Sequence, residues 1–120
     1  MSKPPVQSSA ARDALRSFAP KLVELTDDVL FGDVWERPGL SKRDRSLITV
    51  AALVALYRTR ELPGHLRRAL ENGVSKDELV ELITPLAFYA GRPAAMSAMT
   101  AAKEVFAAAE VGGATTQESA

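Results

Sequence analysis

The sequence predicts an all-α protein built from six helical segments. Three observations carry that expectation. Alanine and leucine supply 20 and 14 of the 120 residues, while aromatics make up 6%, a balance that favours helix over strand. Apolar residues recur at spacings of three and four, and no stretch alternates apolar and polar residues as a half-buried strand would. Capping serines, N-terminal prolines and terminal glycines punctuate these stretches. With 47% apolar residues, the chain can enclose a core without disulfides or metal, and its length suits one domain.

The segments follow in order. Residues 1–8 are polar, carry two prolines and are expected to form a flexible N-terminus. A single helical domain is expected over 9–111. Ser9 can cap a short helix with Ala14, Leu15 and Phe18 on its apolar side. Pro20 suits the first position of a second helix, which carries Leu22, Val23, Leu25, Val29 and Leu30 and ends near Gly32. A loop from Asp33 to Leu40 holds the only tryptophan, Trp35, and a Pro-Gly turn. Ser41 and Asp44 resemble a capping box that starts a helix at Lys42 and runs it to about Tyr57. From Leu47 onward that helix is apolar almost all round, so part of it is expected to face another subunit.

Arg58 to Glu61 open the next helix, which carries Pro63 in its first turn and ends near Asn72. Its stripe is Leu62, Leu66, Ala69 and Leu70, and Gly73 is its terminal glycine. Ser75 and Glu78 form a capping box for a helix with Leu79, Val80, Ile83, Leu86 and Ala87. Pro85 falls inside it and is expected to kink it. Pro93 starts the last helix, whose stripe includes Met96, Met99, Ala102, Val105 and Phe106. Residues 112–120 read as a flexible tail.

Composition excludes several kinds of chemistry. There is no cysteine, hence no disulfide, no thiolate nucleophile and no cysteine-held metal or cluster. One histidine, His65, rules out a multi-histidine metal site within the chain. Fifteen basic residues balance fifteen acidic ones, which argues against nucleic acid or an anionic membrane as partner. No apolar run approaches the roughly 20 residues of a membrane span, and the start lacks a signal-peptide pattern. A cytoplasmic protein is expected.

Three places could hold chemistry. Glu61 and His65 are spaced one helical turn apart, and Arg58 and Arg68 extend the same line. A carboxylate beside an imidazole fixes its tautomer and raises its pKa, which suits a general acid or base. The same spacing also fits a packing histidine on a solvated charged face. The segment Trp35 to Leu40 with Arg37, Arg43 and Arg45 could bind an anion beside a helix N-terminus, Trp35 forming a flat wall. It equally fits a capped turn whose arginines pair with Glu36 and Asp44. Tyr89, before Gly91-Arg92-Pro93, could offer its hydroxyl to a site or serve structure alone. No Gly-rich phosphate loop and no G-x-S-x-G is present.

The blocks WERPGLSKRDRSLITVAALVAL, ELPGHLRRALENGVSKDEL and FYAGRPAAMSA, in that order and spacing, resemble the carboxymuconolactone decarboxylase family. The likeness covers residues 27–108. It implies a helical bundle of the alkylhydroperoxidase D-like type, assembled as a homo-oligomer, a trimer or hexamer. It implies cofactor-free decarboxylation of a small anionic lactone, 4-carboxymuconolactone in the founding activity of aromatic-compound catabolism. In that pattern His65 is the proton-transfer residue, with Glu61 beside it. Trp35, Arg37, Arg43, Arg45 and Tyr89 match the substrate-binding positions. The thiol peroxidases of the superfamily carry C-x-x-C-x-x-x-H, which falls on Arg58, Glu61 and His65. Both cysteines are absent, so a thiol-peroxidase mechanism has no nucleophile. Two departures bear on substrate: Pro85 stands where decarboxylases usually carry histidine, and Arg92 where Leu or Trp is common. Another small-molecule enzyme on the scaffold (an isomerase, cyclase or hydrolase) and a non-catalytic oligomeric binding protein are the alternatives.

Overall fold

A computed structural model describes the backbone of residues 9–119 and the side chains through Val111. The expected flexible segment 1–8 lies outside the described residues, as does Ala120. The described chain is helical, with six α-helices and no strand. It divides into two compact units, one up to Lys42 and one from Arg43.

In the first unit, Ser9 Oγ accepts the Arg12 N–H at 3.1 Å and caps α1, Ala10–Leu15. Pro20 opens α2, Pro20–Leu25, at the position where a missing N–H is tolerated. The helix then widens into a π-helical turn, Thr26–Phe31, that ends at Gly32. A Cβ on Gly32 would lie 2.7 Å from the Asp28 carbonyl oxygen, so this close approach excludes any side chain. A single 3-10 turn follows, Val34–Glu36. Val23, Phe31 and Trp35 are buried. Arg12 ties the unit together: its Nε is 3.3 Å from Asp27 Oδ1, and its guanidinium lies 4.5 Å from the Phe31 ring centre. Arg16 holds the other Asp27 oxygen at 2.9 Å.

The second unit contains the main core. Helix α3 is Lys42–Ala55, α4 Leu62–Glu71, α5 Lys76–Tyr89 and α6 Arg92–Ser119. The buried cluster combines Val50 and Val54 of α3 with Leu62, Leu66 and Ala69 of α4. Val74, Leu79 and Ile83 add to it, and Ala95, Ala98, Ala102 and Val105 of α6 complete it. The α6 positions recur every three to four residues, and the small alanines let α6 pack closely against both α4 and α5. Ser75 caps α5 as expected. Its Oγ accepts the Glu78 N–H at 3.0 Å, and Glu78 Oε1 accepts the Ser75 N–H at 2.9 Å. Helix α5 continues through Pro85, and the α6 backbone runs past Gly112 and Gly113 to Ser119.

The apolar circumference of α3 is only partly covered by this chain. Val50 and Val54 are buried, whereas Ile48 stands exposed, as does Leu56 in the turn just after the helix. No described helix is long and apolar enough to cross a membrane.

Candidate active site

The candidate acid–base residues Glu61 and His65 lie at the start of α4. Pro63 sits in the first turn, and Glu61 is the N-cap residue with φ −84° and ψ −20°. That near-helical backbone places Glu61 and His65 one turn apart on the same side of α4. Leu62, Leu66 and Ala69 are fully buried on the inner face. His65 lies at the border of that face and is half-buried, while Glu61 is exposed. An imidazole at such a border keeps a route to solvent and to a ligand.

Arg43 and Arg45 lie in the first turn of α3. Arg43 donates from Nη2 to Glu78 Oε2 of α5, and its Nη1 lies 3.6 Å from Asp44. It therefore ties the start of α3 to the capped start of α5. The Ser75 N–H, and after it the Arg43 charge, hold the Glu78 carboxyl below the usual glutamate range. Arg45 is half-buried on α3, and its carbonyl accepts the Thr49 hydroxyl at 2.7 Å.

Trp35 and Arg37 belong to the first unit. The Trp35 ring is buried at 7% exposure and lies 5.8 Å from Phe31. Arg37 is exposed just beyond the 3-10 turn. Tyr89 ends α5 and is 88% exposed beside Phe88 at 87%. Arg92, the first residue of α6, is exposed as well. Among the described residues, no three His, Asp or Glu side chains come together as metal ligands would.

Two polar features lie outside the sequence expectations. Ser46 of α3 is buried, and its Oγ accepts the Asn72 Nδ2–H at 3.0 Å. This bond joins α3 to the C-terminal end of the His65 helix. Tyr57, after α3, has φ +58°. The sequence does hold a signal for the second feature. No glycine lies between Leu40 and Pro63, so the left-handed residue that commonly ends a helix must there carry a side chain.

The comparisons with known proteins agree with these blocks. The carboxymuconolactone decarboxylase family profile matches residues 20–104, a span that includes every candidate residue above. Over 76 residues the chain is 55% identical to the 4-carboxymuconolactone decarboxylase of Acinetobacter baylyi, covering 63% of this chain and 57% of that protein. It is 36% identical over 95 residues to the nitrosuccinic acid decarboxylase of Metarhizium robertsii, covering 77% of this chain and 66% of that protein. An uncharacterized 15.0 kDa protein of Paracoccus denitrificans is 29% identical over 96 residues, 78% of this chain and 72% of that protein. The chain thus spans less than two-thirds of the length of either decarboxylase. The family match covers well over half of the chain, and the chain belongs to the carboxymuconolactone decarboxylase family.

Proposed function

We propose that this chain is a decarboxylase of small anionic carboxylates, working by proton transfer at His65 without a cofactor. The observation that carries the reading is the similarity to two decarboxylases, in a chain that has Glu61 and His65 one helical turn apart at the start of α4. The substrates named for these two relatives share one chemical trait. Each bears a carboxylate on a molecule with an electron sink, a conjugated lactone in one and a nitro group in the other. When CO₂ leaves, the carbon–carbon electron pair moves into that sink, and the negative charge settles on its oxygens. A donor must stabilise the charge and return a proton to carbon. His65, with the Glu61 carboxylate one helical turn before it, fits that role. An arginine at the start of α3 would bind a spectator carboxylate.

Purified protein incubated with 4-carboxymuconolactone, with CO₂ release followed, tests the reading. Turnover is expected, with His65→Ala losing about 10²- to 10⁴-fold in kcat and Glu61→Gln losing less. An inert wild-type protein removes the lactone as substrate, and nitrosuccinic acid is then the next acid to assay.

We also propose that the chain works as a homo-oligomer, a trimer or hexamer. Exposed Ile48 on α3 and Leu56 just after it, with Phe88 and Tyr89 on α5, support this reading. Light scattering at micromolar concentration should give a multiple of 12.9 kDa, and a monomer mass would overturn it.

A further inference from the structure

Helices α3 and α4 end in the same pair of hydrogen bonds. At the end of α4, Val74 N–H donates to Ala69 C=O at 2.9 Å and Gly73 N–H to Leu70 C=O at 3.1 Å. At the end of α3, Arg58 N–H donates to Leu53 C=O at 2.8 Å and Tyr57 N–H to Val54 C=O at 3.1 Å. This pattern requires one residue in the left-handed region. In α4 it is Gly73 at φ +95°, whereas in α3 it is Tyr57 at φ +58°. Among the described residues Tyr57 is the one non-glycine with positive φ. The crowding of its Cβ makes that conformation unfavourable for a bulky side chain.

Burial does not compensate for the strain. The Tyr57 side chain is 57% exposed, and its hydroxyl lies 3.4 Å from Ser97 Oγ of α6. A glycine would close the helix with less strain, so the aromatic ring calls for another reason. Its position suggests one. Tyr57 begins the turn that delivers Glu61 and His65, and Leu62 N–H closes that turn on the Arg58 carbonyl at 3.1 Å. Trp35, the wall expected from sequence, has its own ring buried.

We propose that Tyr57 is a substrate-positioning residue of the His65 site. Its exposed ring lies against the flat unsaturated part of the substrate, and its hydroxyl serves a substrate carboxylate. The inference rests on the decarboxylase reading of that site.

Three variants test it: Tyr57→Gly, Tyr57→Asn and Tyr57→Phe. Glycine and asparagine both accept the left-handed backbone. Tyr57→Gly should unfold at a midpoint equal to wild type or about 2–5 °C higher. With 4-carboxymuconolactone, Tyr57→Gly and Tyr57→Asn should lose roughly tenfold or more in kcat/KM, mainly through KM. Tyr57→Phe should retain most activity if the ring dominates. A loss in Tyr57→Phe as well assigns the effect to the hydroxyl. Unchanged kinetics in Tyr57→Gly overturns the inference. So does a parallel fall of midpoint and activity, which marks a structural residue. If wild type does not turn the lactone over, the decarboxylase reading fails on that substrate. Binding of muconolactone, read by ligand-observed NMR, then decides the inference separately. Binding by wild type that weakens in Tyr57→Gly supports it, while equal binding or none in both overturns it.

Discussion

Truncating Leu66 to alanine probes the packing that holds His65 in place. Leu66 follows His65 in sequence and is fully buried among Leu62, Ala69, Ile83 and the alanines of α6. The change removes three carbons. At about 0.8 kcal/mol per buried carbon the transfer term is about 2.4 kcal/mol, and an unfilled cavity adds about 1 kcal/mol. The expected loss is therefore about 3–4 kcal/mol. A chain of this length has a total of roughly 6–18 kcal/mol, so the variant should still fold. Its thermal midpoint should fall by about 10–15 °C. Urea unfolding followed by far-UV circular dichroism measures the loss. Both proteins must be compared at one protomer concentration, because association adds stability by mass action. Arg67→Ala, at the next and exposed position, serves as control and should stay within about 0.5 kcal/mol. A loss below about 1 kcal/mol for Leu66→Ala would refute the inner face assigned to α4, and with it the border position of His65.

Two further outcomes follow from the local chemistry. The Glu78 carboxyl is held below the ordinary glutamate range by the Ser75 N–H and then by Arg43. A lowered pKa means the stabilisation is present above the unfolded-state value and is lost as pH falls through the folded-state one. The thermal midpoint should thus drop from about pH 5 to about pH 3, and Glu78→Gln should flatten that part of the profile; an identical acid response in the variant would remove Glu78 as a contributor. Gly32→Ala should open the π-helical turn, because the new methyl would meet the Asp28 carbonyl at 2.7 Å. A destabilisation of about 1–3 kcal/mol is expected, with faster protease cleavage between Thr26 and Glu36 as the readout, and wild-type protection would contradict the close approach.

What could be read from the sequence and what could not divide along a physical line. The features fixed by a few neighbouring residues were legible. Ser9 caps α1, Pro20 opens α2, Gly32 ends the turn that follows it, Gly73 closes α4 and Ser75 with Glu78 caps α5. Each is a local match between a side chain and backbone groups that a helix end leaves unbonded. The one-turn spacing of Glu61 and His65 was legible for the same reason, since it needs only the helical period. The Arg58–Glu61 segment, expected inside α4, instead forms a turn before it, because α3 ends in a cap that reaches as far as Arg58.

Features that depend on a partner distant in sequence were not legible. Arg43 looked like one of three arginines around an anion, yet its guanidinium meets Glu78, 35 residues later. Arg12 meets Asp27 and Phe31 because the π-helical turn carries those two residues to it. An arginine's charge is evident in a sequence, but its choice of carboxylate depends on which helix ends pack together. This distinction bears directly on the site. A reading that rests on His65 and Glu61 depends on one turn of one helix. A reading that assigns substrate carboxylates to particular arginines depends on packing, and Arg43 already serves to hold α3 against α5. Replacing Arg43 should therefore impair stability first, and a lowered thermal midpoint in Arg43→Ala would mark the loss of the Glu78 contact rather than of a substrate contact.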